Sequence, residues 1–255
     1  MTAADDDHHL ASDLARQAGA LLLQLRDDAI EESGGGYHHA SQLRWDGDRQ
    51  AHLFLTAALA RLRPDDAVLS EEGRDNSERL TAERLWIVDP LDGSNDYPNP
   101  ASGEWAVHVA LVENGRPTAG AVSVPARNQL YSTLMCPTTQ STPREQPLIL
   151  SGRSAVRAAR LVANQLGGQV ATCGSAGVKA MAVVAGTADA YVHGGWMYEW
   201  DSCAPEVVAQ AAGLHVSNLE GDEIEYNKPF PEIAGFLVSR PEIADDVLAA
   251  LSTAL

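Results

Sequence analysis

The sequence predicts a mixed α/β fold built in two halves. Two amphipathic helical segments open the chain, a run of antiparallel apolar strands follows, and later in the chain short apolar strands alternate with helices. A Pro/Thr-rich stretch, residues 137–147, separates the two patterns. We therefore expect an N-terminal α+β subdomain over residues 1–146 and a C-terminal α/β subdomain over residues 147–255.

The N-terminal half is expected to begin with two helices. Leucine and alanine recur at helical spacing over residues 5–28 and again up to about residue 63. The polar stretch 31–45 contains three consecutive glycines and has no period, so we expect a loop there. The acidic turn Asp46-Gly47-Asp48 is expected to open the second helix, with each aspartate either a helix cap or a site residue.

Strands follow these helices. Residues 67–70 predict a short strand that delivers Glu71 and Glu72 to its carboxyl end, and only one of the pair is expected to reach a common site, because adjacent strand residues point to opposite faces. The next strand, residues 85–89, is expected to leave the sheet at Pro90, which has no N–H to donate. Turn signals then predict an antiparallel meander with strands over residues 104–112, 118–124 and 129–135.

The C-terminal half alternates strands and helices. Strands are predicted at residues 148–150, 170–172 and 188–192, and helices at 154–166, 178–185, 201–212 and 241–255, with a strand pair before the last helix. The segment 174–177 precedes a helix whose free amides could hold an anion, although glycine at a helix start also serves tight packing. Asp201 begins another helix, where its simplest role is that of an N-cap.

An acidic site is predicted where the strand of residues 85–89 ends. Asp89 and Asp92 are three residues apart on a turn, the Leu91 carbonyl lies between them, and Gly93 gives the backbone freedom to curl. Two carboxylates and a carbonyl that converge in this way are hard oxygen ligands, which Mg²⁺ prefers. Alone, this turn would also suit Ca²⁺ or an ordinary capped loop.

Composition limits the partners. The chain has 255 residues with 18 Lys+Arg against 35 Asp+Glu, a formal charge of −17, which argues against nucleic acid and anionic membrane surfaces. A small anionic substrate would need local neutralisation, which bound divalent cations can supply. The three cysteines are far apart and are expected to be reduced. No membrane span and no basic, apolar leader is apparent, so we expect a cytoplasmic protein.

Three separated motifs together indicate a family. Glu71-Glu72, the run from Asp89 to Ser94, and Trp200-Asp201 resemble, in order and spacing, the signatures of the Mg²⁺-dependent, lithium-sensitive phosphatases typified by inositol monophosphatase. The resemblance extends over nearly the whole chain. It implies an αβαβα layered sandwich with the active site between the two halves.

The resemblance also implies roles for individual residues. Two Mg²⁺ ions, with a third possible, would be held by the following groups: Glu71, Asp89, the Leu91 carbonyl, Asp92 and Asp201, with Asp48 for the third. Asp48, Glu71 and the Ser94 hydroxyl would act in catalysis by positioning or activating the water that attacks phosphorus. The family usually has threonine where this chain has Ser94, and serine keeps the hydroxyl while losing the methyl that restrains its rotamer.

Substrate preference depends on the second half. Where the inositol enzymes carry a sugar-binding glutamate this chain has His193, and the segments around Arg153 and Lys179 are similar to the CysQ-type 3'(2'),5'-bisphosphate nucleotidases, particularly their actinobacterial branch. That resemblance implies hydrolysis of 3'-phosphoadenosine 5'-phosphate to AMP and phosphate. The expected substrate contacts are Gly93, Ser94, Arg153, Ser175, Lys179, Trp196 and Glu199. Arg153 and Lys179 would neutralise a second phosphate, or both are ordinary surface cations.

Other interpretations stay open from sequence. A phosphatase with the same chemistry could act on inositol phosphate or fructose phosphate instead. Two alternatives belong to other classes: a non-catalytic metal or nucleotide sensor, and a two-carboxylate glycosidase that needs no metal. The resemblance further predicts inhibition by lithium at the metal position of Asp92 and Asp201. We expect a homodimer, and we leave open whether residues 34–45 close over a substrate.

Overall fold

The computed structural model describes residues 3–32, 40–135 and 144–253. Its helices and strands follow the two-part pattern of the sequence. The described helices are α1 (Ala3–Glu32), α2 (Ala40–Leu62), α3 (Val156–Leu166), α4 (Ala176–Val184), α5 (Glu199–Ala211) and α6 (Ala244–Ser252). The strands are β1 (Ala67–Ser70), β2 (Arg84–Asp92), β3 (Ala106–Glu113), β4 (Arg116–Val124), β5 (Gln129–Ser132), β6 (Leu148–Ser151), β7 (Gln169–Thr172), β8 (Ala190–Tyr198), β9 (His215–Ser217) and β10 (Glu232–Ser239).

The strands form two five-stranded sheets. The first has the order β1-β2-β3-β4-β5, in which only β1 and β2 are parallel. The second has the order β7-β6-β8-β10-β9, in which β6 is parallel to β7 and β8 while β10 is antiparallel to both of its neighbours. The meander predicted from the turn signals is therefore confirmed as β3, β4 and β5.

Three apolar cores stack the sheets and helices into layers. One core joins α1 and α2 to the outer face of the first sheet, a second joins both sheets to α4 and α5, and a third joins the second sheet to α3 and α6. The layer order is helices, sheet, helices, sheet, helices, which confirms the expected αβαβα sandwich. The central core draws residues from both halves of the chain, whereas the boundary at residue 146 stays a prediction.

The acidic turn lies inside a helix. The predicted loop over residues 31–45 is wrong for residues 31–32, which end α1, and for residues 40–45, because α2 begins at Ala40. Asp46 and Asp48 therefore cannot cap a helix that is already under way. Gly47 looked like a turn signal, but it is buried at a close contact, since an added Cβ would lie 2.8 Å from Tyr97 Cε1. The three glycines of the predicted loop, Gly34 to Gly36, lie outside the described residues.

Strand β2 continues through the proline. Its pairing with β1 ends at Ser70 and Val88, so Pro90 needs no N–H for that neighbour, and its pairing with β3 shifts register between Asp89 and Asp92. The expectation that the chain leaves the sheet at Pro90 is therefore wrong: the strand bulges there and pairs again at Asp92. The bulge changes the direction in which the two aspartates point.

Strand β8 is likewise longer than predicted. It extends to Tyr198, because β10 pairs with it along its whole length, with Glu232 opposite Tyr198. This extension brings the chain directly into α5 and Asp201. Within the described residues no helix is long and apolar enough to cross a membrane.

Candidate metal centre

Three aspartates from both halves of the chain meet at one point. Carboxylate oxygens of Asp89, Asp92 and Asp201 all lie within 4.8 Å of one another. Asp89 and Asp92 stand on either side of the β2 bulge, and Asp201 lies in the first turn of α5. The sequence therefore predicted correctly that the two motifs converge.

Asp92 is the most firmly held of the three. One of its oxygens, Oδ2, accepts hydrogen bonds from the Ser175 hydroxyl and from the Gly177 N–H at 2.7 Å, while Oδ1 accepts from the Ala176 N–H at 3.1 Å. Burial alone would raise the pKa of Asp92, but the charge and contact of His108, the charge of Lys179 and the bond from Ser175 outweigh it and hold the pKa well below its usual range. Asp92 is therefore an anion at every physiological pH.

The start of α4 is thus already occupied by an anion from the protein itself. Ser175 caps the helix by accepting from the Val178 N–H at 3.0 Å, and the following two amides bind Asp92. The sequence left open whether these amides hold an anion or the glycines serve tight packing, and the structure places the Asp92 carboxylate there. Ser175 is fully buried, so it positions this carboxylate from within the protein.

The remaining acidic groups crowd the same point from β1 and α2. Desolvation raises the pKa of both Glu71 and Asp89, and the contact between the two side chains lowers the pKa of Glu71 and raises that of Asp89. Loss of hydration and the neighbouring charge of Glu72 raise the pKa of Asp48 to about 7. Glu71 and Glu72 both lie in the turn after β1, so strand alternation does not separate them, and the charge of Glu72 acts on Asp48 as well as on Glu71. That only one of the pair serves the site stays a prediction.

This crowding fits a cation. Burial, followed by the charges of neighbouring carboxylates, raises the pKa of Asp89 well above its usual value and that of Asp201 to about 7, and desolvation raises that of Glu71 to about 7. Without a compensating positive charge the carboxylates hold protons, and a divalent cation among them would replace those protons. An all-oxygen donor set suits a hard cation such as Mg²⁺ or Ca²⁺. The residues present therefore fit a metal.

The turn after Asp89 has the backbone shape that the sequence indicated. The Leu91 N–H donates to Asp89 Oδ1 at 3.0 Å, and Gly93 has a φ of +82°, which favours glycine. A Cβ on Gly93 would lie 2.4 Å from the Glu104 carbonyl oxygen. Ser94 follows on this turn and remains partly exposed beside the acidic cluster.

Asp201 is not an N-cap. Tyr198 is the cap residue, and Asp201 lies three positions later, where its Oδ2 accepts a hydrogen bond from the Tyr198 N–H at 3.1 Å. This bond orients the carboxylate across the helix start. The helix N-terminus also favours the negative charge.

Three predicted substrate contacts are buried and have other partners: Ser175, which binds Asp92 and caps α4, and also Lys179 and Glu199. Lys179 is almost completely buried, and its ammonium donates to the carbonyls of Ser175 at 2.6 Å, Gly174 at 2.8 Å and Cys173 at 3.3 Å. Glu199 is fully buried and accepts from the Asn227 and Lys228 N–H groups, each at 2.9 Å. Neither the Lys179 nor the Glu199 side chain is accessible to a substrate, because each is buried and hydrogen-bonded to the backbone of a turn.

Arg153 lies at the border between the halves and is exposed. Its guanidinium donates to both oxygens of Asp96, at 2.9 and 3.2 Å, and to Glu104 at 2.6 Å. Glu104 also accepts from the Gly174 N–H at 2.9 Å. A phosphate that binds Arg153 would compete with these two carboxylates for the same N–H groups.

Aromatic side chains stand on the surface next to Asp201. Trp196 is 71% exposed and Phe230 is 82% exposed, and the rings of Tyr198 and Trp200 stack with centroids 4.6 Å apart. Trp196 and Tyr198 lie on β8, and the chain that follows Phe230 pairs with the end of that strand. Trp196, an expected substrate contact, is therefore accessible among other aromatic side chains.

His108 is the residue of this site that the sequence analysis missed. It lies on β3 directly opposite Asp89, it is fully buried, and its Nε2 is 3.1 Å from Asp92 Oδ2. Burial would lower the pKa of His108, but the charge of Asp92 outweighs burial and raises it. The signal in the sequence was a single histidine within an otherwise apolar strand, residues 105–112.

Comparison with known proteins connects this site to a family of phosphatases. A family model described as the inositol monophosphatase family matches residues 5–254. The 3'-phosphoadenosine 5'-phosphate phosphatase of Mycobacterium bovis is 42% identical over 248 residues, which cover 93% of this chain and 90% of that protein. The 3'(2'),5'-bisphosphate nucleotidase CysQ of Escherichia coli K12 is 31% identical over 230 residues, covering 84% of this chain and 91% of that protein.

Solved structures share the architecture. CysQ from Bacteroides thetaiotaomicron is 25% identical and superposes with a TM-score of 0.76, covering 92% of this chain and 97% of that chain. A staphylococcal IMPase-II, at 20% identity, superposes with the same TM-score of 0.76 over 97% of this chain and 96% of that chain, which demonstrates the common fold.

Proposed function

Because the chain belongs to the inositol monophosphatase family, we propose that it is a Mg²⁺-dependent phosphomonoesterase that removes the 3'-phosphate of 3'-phosphoadenosine 5'-phosphate. The observation that carries the proposal is the convergence of Asp89, Asp92 and Asp201, with Glu71 bonded to Asp89, at the junction of the two halves. The substrate is taken from the mycobacterial relative, whose name states that activity.

The proposed metal ligands follow the family resemblance, and the cluster of Asp89, Asp92 and Asp201 supports them. Glu71, Asp89 and the Leu91 carbonyl would hold one Mg²⁺, Asp89, Asp92 and Asp201 would hold a second, and Asp48 would serve a third. When bound, Mg²⁺ neutralises phosphoryl oxygens and lowers the pKa of a water molecule.

The protein's own contribution is orientation and proton handling. Asp48, half-buried on α2 beside the acidic cluster, would accept a proton from the attacking water. The Ser94 hydroxyl, on the turn that Gly93 permits, would orient the same water or the phosphate. The hydrogen bonds that hold Asp92 keep its carboxylate from rotating while charge moves at phosphorus.

Recognition of the nucleotide would involve the exposed border of the site. Arg153 is the cation proposed for the second phosphate, by exchange of its bonds to Asp96 and Glu104. Trp196 is the ring proposed to stack on the adenine base, since it is accessible and lies on the strand that leads to Asp201. Lys179 and Glu199 are not carried into this proposal as direct contacts, because both are buried and bonded to the backbone.

A steady-state comparison tests the proposal. We expect phosphate release from 3'-phosphoadenosine 5'-phosphate to have a higher kcat/KM than release from inositol 1-phosphate or fructose 1,6-bisphosphate, to require Mg²⁺ and to be lost in Asp92→Asn. A higher kcat/KM for inositol 1-phosphate would contradict the substrate, and activity that survives a chelator would contradict the metal.

Two further measurements separate the alternatives. A non-catalytic sensor would bind Mg²⁺ and nucleotide by calorimetry yet release no phosphate from any phosphomonoester. Inhibition by millimolar lithium is expected if a small monovalent ion replaces Mg²⁺ between Asp92 and Asp201. The oligomeric state, which we propose to be a homodimer, is measured by light scattering.

A further inference from the structure

His108 stands in a row of small apolar residues. On β3, Ala106 and Ala110 belong to the central core under α4 and α5, whereas Val107 and Val109 face the outer helices. By the alternation of a strand His108 points into the central layer. A polar ring in this apolar layer is costly unless its nitrogens have polar partners, so the contacts of the two nitrogens decide what the ring does there.

The two ring nitrogens bridge the two halves of the site. Nδ1 lies 3.0 Å from the carbonyl oxygen of Trp200, the residue immediately before Asp201, and because a carbonyl only accepts, Nδ1 is the donor. Nε2 lies 3.1 Å from Asp92 Oδ2, which is an ion-pair distance, although it has no partner with hydrogen-bond alignment among the described residues. One imidazole therefore contacts a carboxylate of the first half and the backbone that carries a carboxylate of the second.

The helix packed over this ring is shaped to receive it. A Cβ at Gly177 would lie 2.1 Å from His108 Nε2, so only glycine leaves room for the imidazole at that position. The N–H of the same glycine donates to Asp92 Oδ2 at 2.7 Å. Gly177 and His108 thus approach the same carboxylate oxygen from neighbouring directions, which leaves it little freedom to turn.

We infer that His108 is a positioning residue that fixes the Asp92 carboxylate relative to the Trp200–Asp201 backbone and thereby sets the spacing of the metal ligands contributed by the two halves. The inference rests on the proposed function, because it assumes that Asp92 and Asp201 share a cation. His108 itself touches neither metal nor substrate. Its effect is to keep two like-charged groups in a fixed arrangement before the cation arrives.

Mg²⁺ affinity of the metal-free protein is the direct test. His108→Phe fills the same space without nitrogen, and we expect it to raise the Mg²⁺ dissociation constant, measured by titration calorimetry, about tenfold or more. His108→Gln extends an amide N–H towards the position of Nε2 and should recover much of the affinity. His108→Asn is too short to reach Asp92 and should resemble the phenylalanine variant.

The matched control is Val109→Ala, which removes buried volume from the next residue on the opposite face of β3. It should lower the thermal midpoint yet leave the Mg²⁺ dissociation constant unchanged. If His108→Phe also kept the wild-type dissociation constant, the residue would serve packing alone and the inference would be overturned. Should His108→Phe not fold, equal Mg²⁺ affinities for the glutamine and asparagine variants would overturn it instead.

The experiments distinguish failure of the proposed function from failure of this inference alone. If the wild-type protein itself does not bind Mg²⁺, both the function and this inference fall. If the wild type binds Mg²⁺ and releases phosphate while every His108 variant binds equally well, only the inference falls. Support requires the order wild type, glutamine, then asparagine and phenylalanine in Mg²⁺ affinity.

Discussion

Two aspartates of one turn differ sharply in their surroundings. Burial would raise the pKa of Asp92, but His108, Lys179 and Ser175 outweigh it and keep that pKa below the usual range, whereas burial and neighbouring carboxylates raise the pKa of Asp89. Two amides at the α4 N-terminus also donate to Asp92 and hold its carboxylate in place. Asp92 is therefore charged before any metal binds, and Asp89 becomes charged when a cation displaces its proton.

Ser94 offers a prediction on water positioning. If its hydroxyl orients the attacking water, Ser94→Ala lowers kcat about 100-fold with little change in KM. Ser94→Thr keeps the hydroxyl, adds the methyl that restrains its rotamer and should retain or raise kcat. Steady-state phosphate release measures both. Equal kcat values for the alanine variant and the wild type would remove Ser94 from the mechanism.

Arg153 offers a prediction on the second phosphate. Arg153→Ala should raise KM for 3'-phosphoadenosine 5'-phosphate about tenfold, the value of one charge-assisted contact, and leave KM for 3'-AMP nearly unchanged. Arg160→Ala, at an exposed position on α3, is the control and should change neither value. If the Arg153 variant raises both KM values alike, its ion pairs with Asp96 and Glu104 support the loop rather than bind phosphate.

At the scale of elements, the bulged end of β2 and the turn after it organise the site. The parallel neighbour β1 stops at Ser70, which frees the end of β2 to bulge at Pro90 and aim two aspartates at one point. The turn then closes at Gly93, where the backbone passes close to the Glu104 carbonyl. Its shape depends on a residue without a side chain.

Gly93→Ala tests that dependence. The positive φ and the 2.4 Å approach to the Glu104 carbonyl predict a loss of about 2 kcal/mol in the free energy of unfolding and a displaced Ser94. We expect a lower denaturation midpoint in urea together with reduced kcat. Gly152→Ala is the control, because a Cβ there meets nothing within 4 Å. Similar midpoints for the two variants would contradict the argument.

At the scale of the whole molecule, the metal site joins the two halves. The acidic groups come from α2, β1 and β2 on one side and α5 on the other, and Arg153 pairs across the same border with Asp96 and Glu104. The central core beneath them is shared by both sheets. Protonation of these carboxyl groups should therefore change the stability of the whole sandwich.

Stability should depend on pH and Mg²⁺ together. Carboxyl groups whose folded pKa is raised, to about 7 for Asp48, Glu71 and Asp201, stabilise the fold below their unfolded pKa near 4 and lose that contribution as pH rises through 7. In a chelator, the thermal midpoint should fall between pH 5 and pH 8. At pH 8, Mg²⁺ at 100 times its dissociation constant should restore about 2.7 kcal/mol.

The double variant Asp89→Asn/Asp201→Asn is the control for this effect. It removes carboxyl groups with raised pKa values, so its midpoint should change less between pH 5 and pH 8 and should not respond to Mg²⁺. Asp92 acts in the opposite direction: its lowered pKa means that the stability it contributes is lost only when the pH falls below this range. A wild-type midpoint that is flat from pH 5 to pH 8 in a chelator would contradict the prediction.

The sequence by itself determined the ligand-bearing motifs and the succession of helices and strands, whereas the αβαβα layer order came from the family resemblance. The run from Asp89 to Ser94 is a local arrangement, so residue order alone predicts a turn with two carboxylates, and strand or helix periodicity depends on neighbours within a few residues. The resemblance in Glu71 and Trp200-Asp201 supplied the distant partners, and the geometry of Asp89, Asp92 and Asp201 agrees with it.

Only the tertiary structure decided what the isolated polar and small residues do. Lys179 and Glu199 were predicted to contact the substrate but are hydrogen-bonded to the backbone of turns. Gly47 was predicted in a turn but lies inside α2 against Tyr97. His108 reaches Asp92 and the Trp200 carbonyl. The physical reason is that the partner of a charged or small side chain is set by whichever distant segment packs against it. That choice depends on long-range packing, which local sequence patterns do not encode.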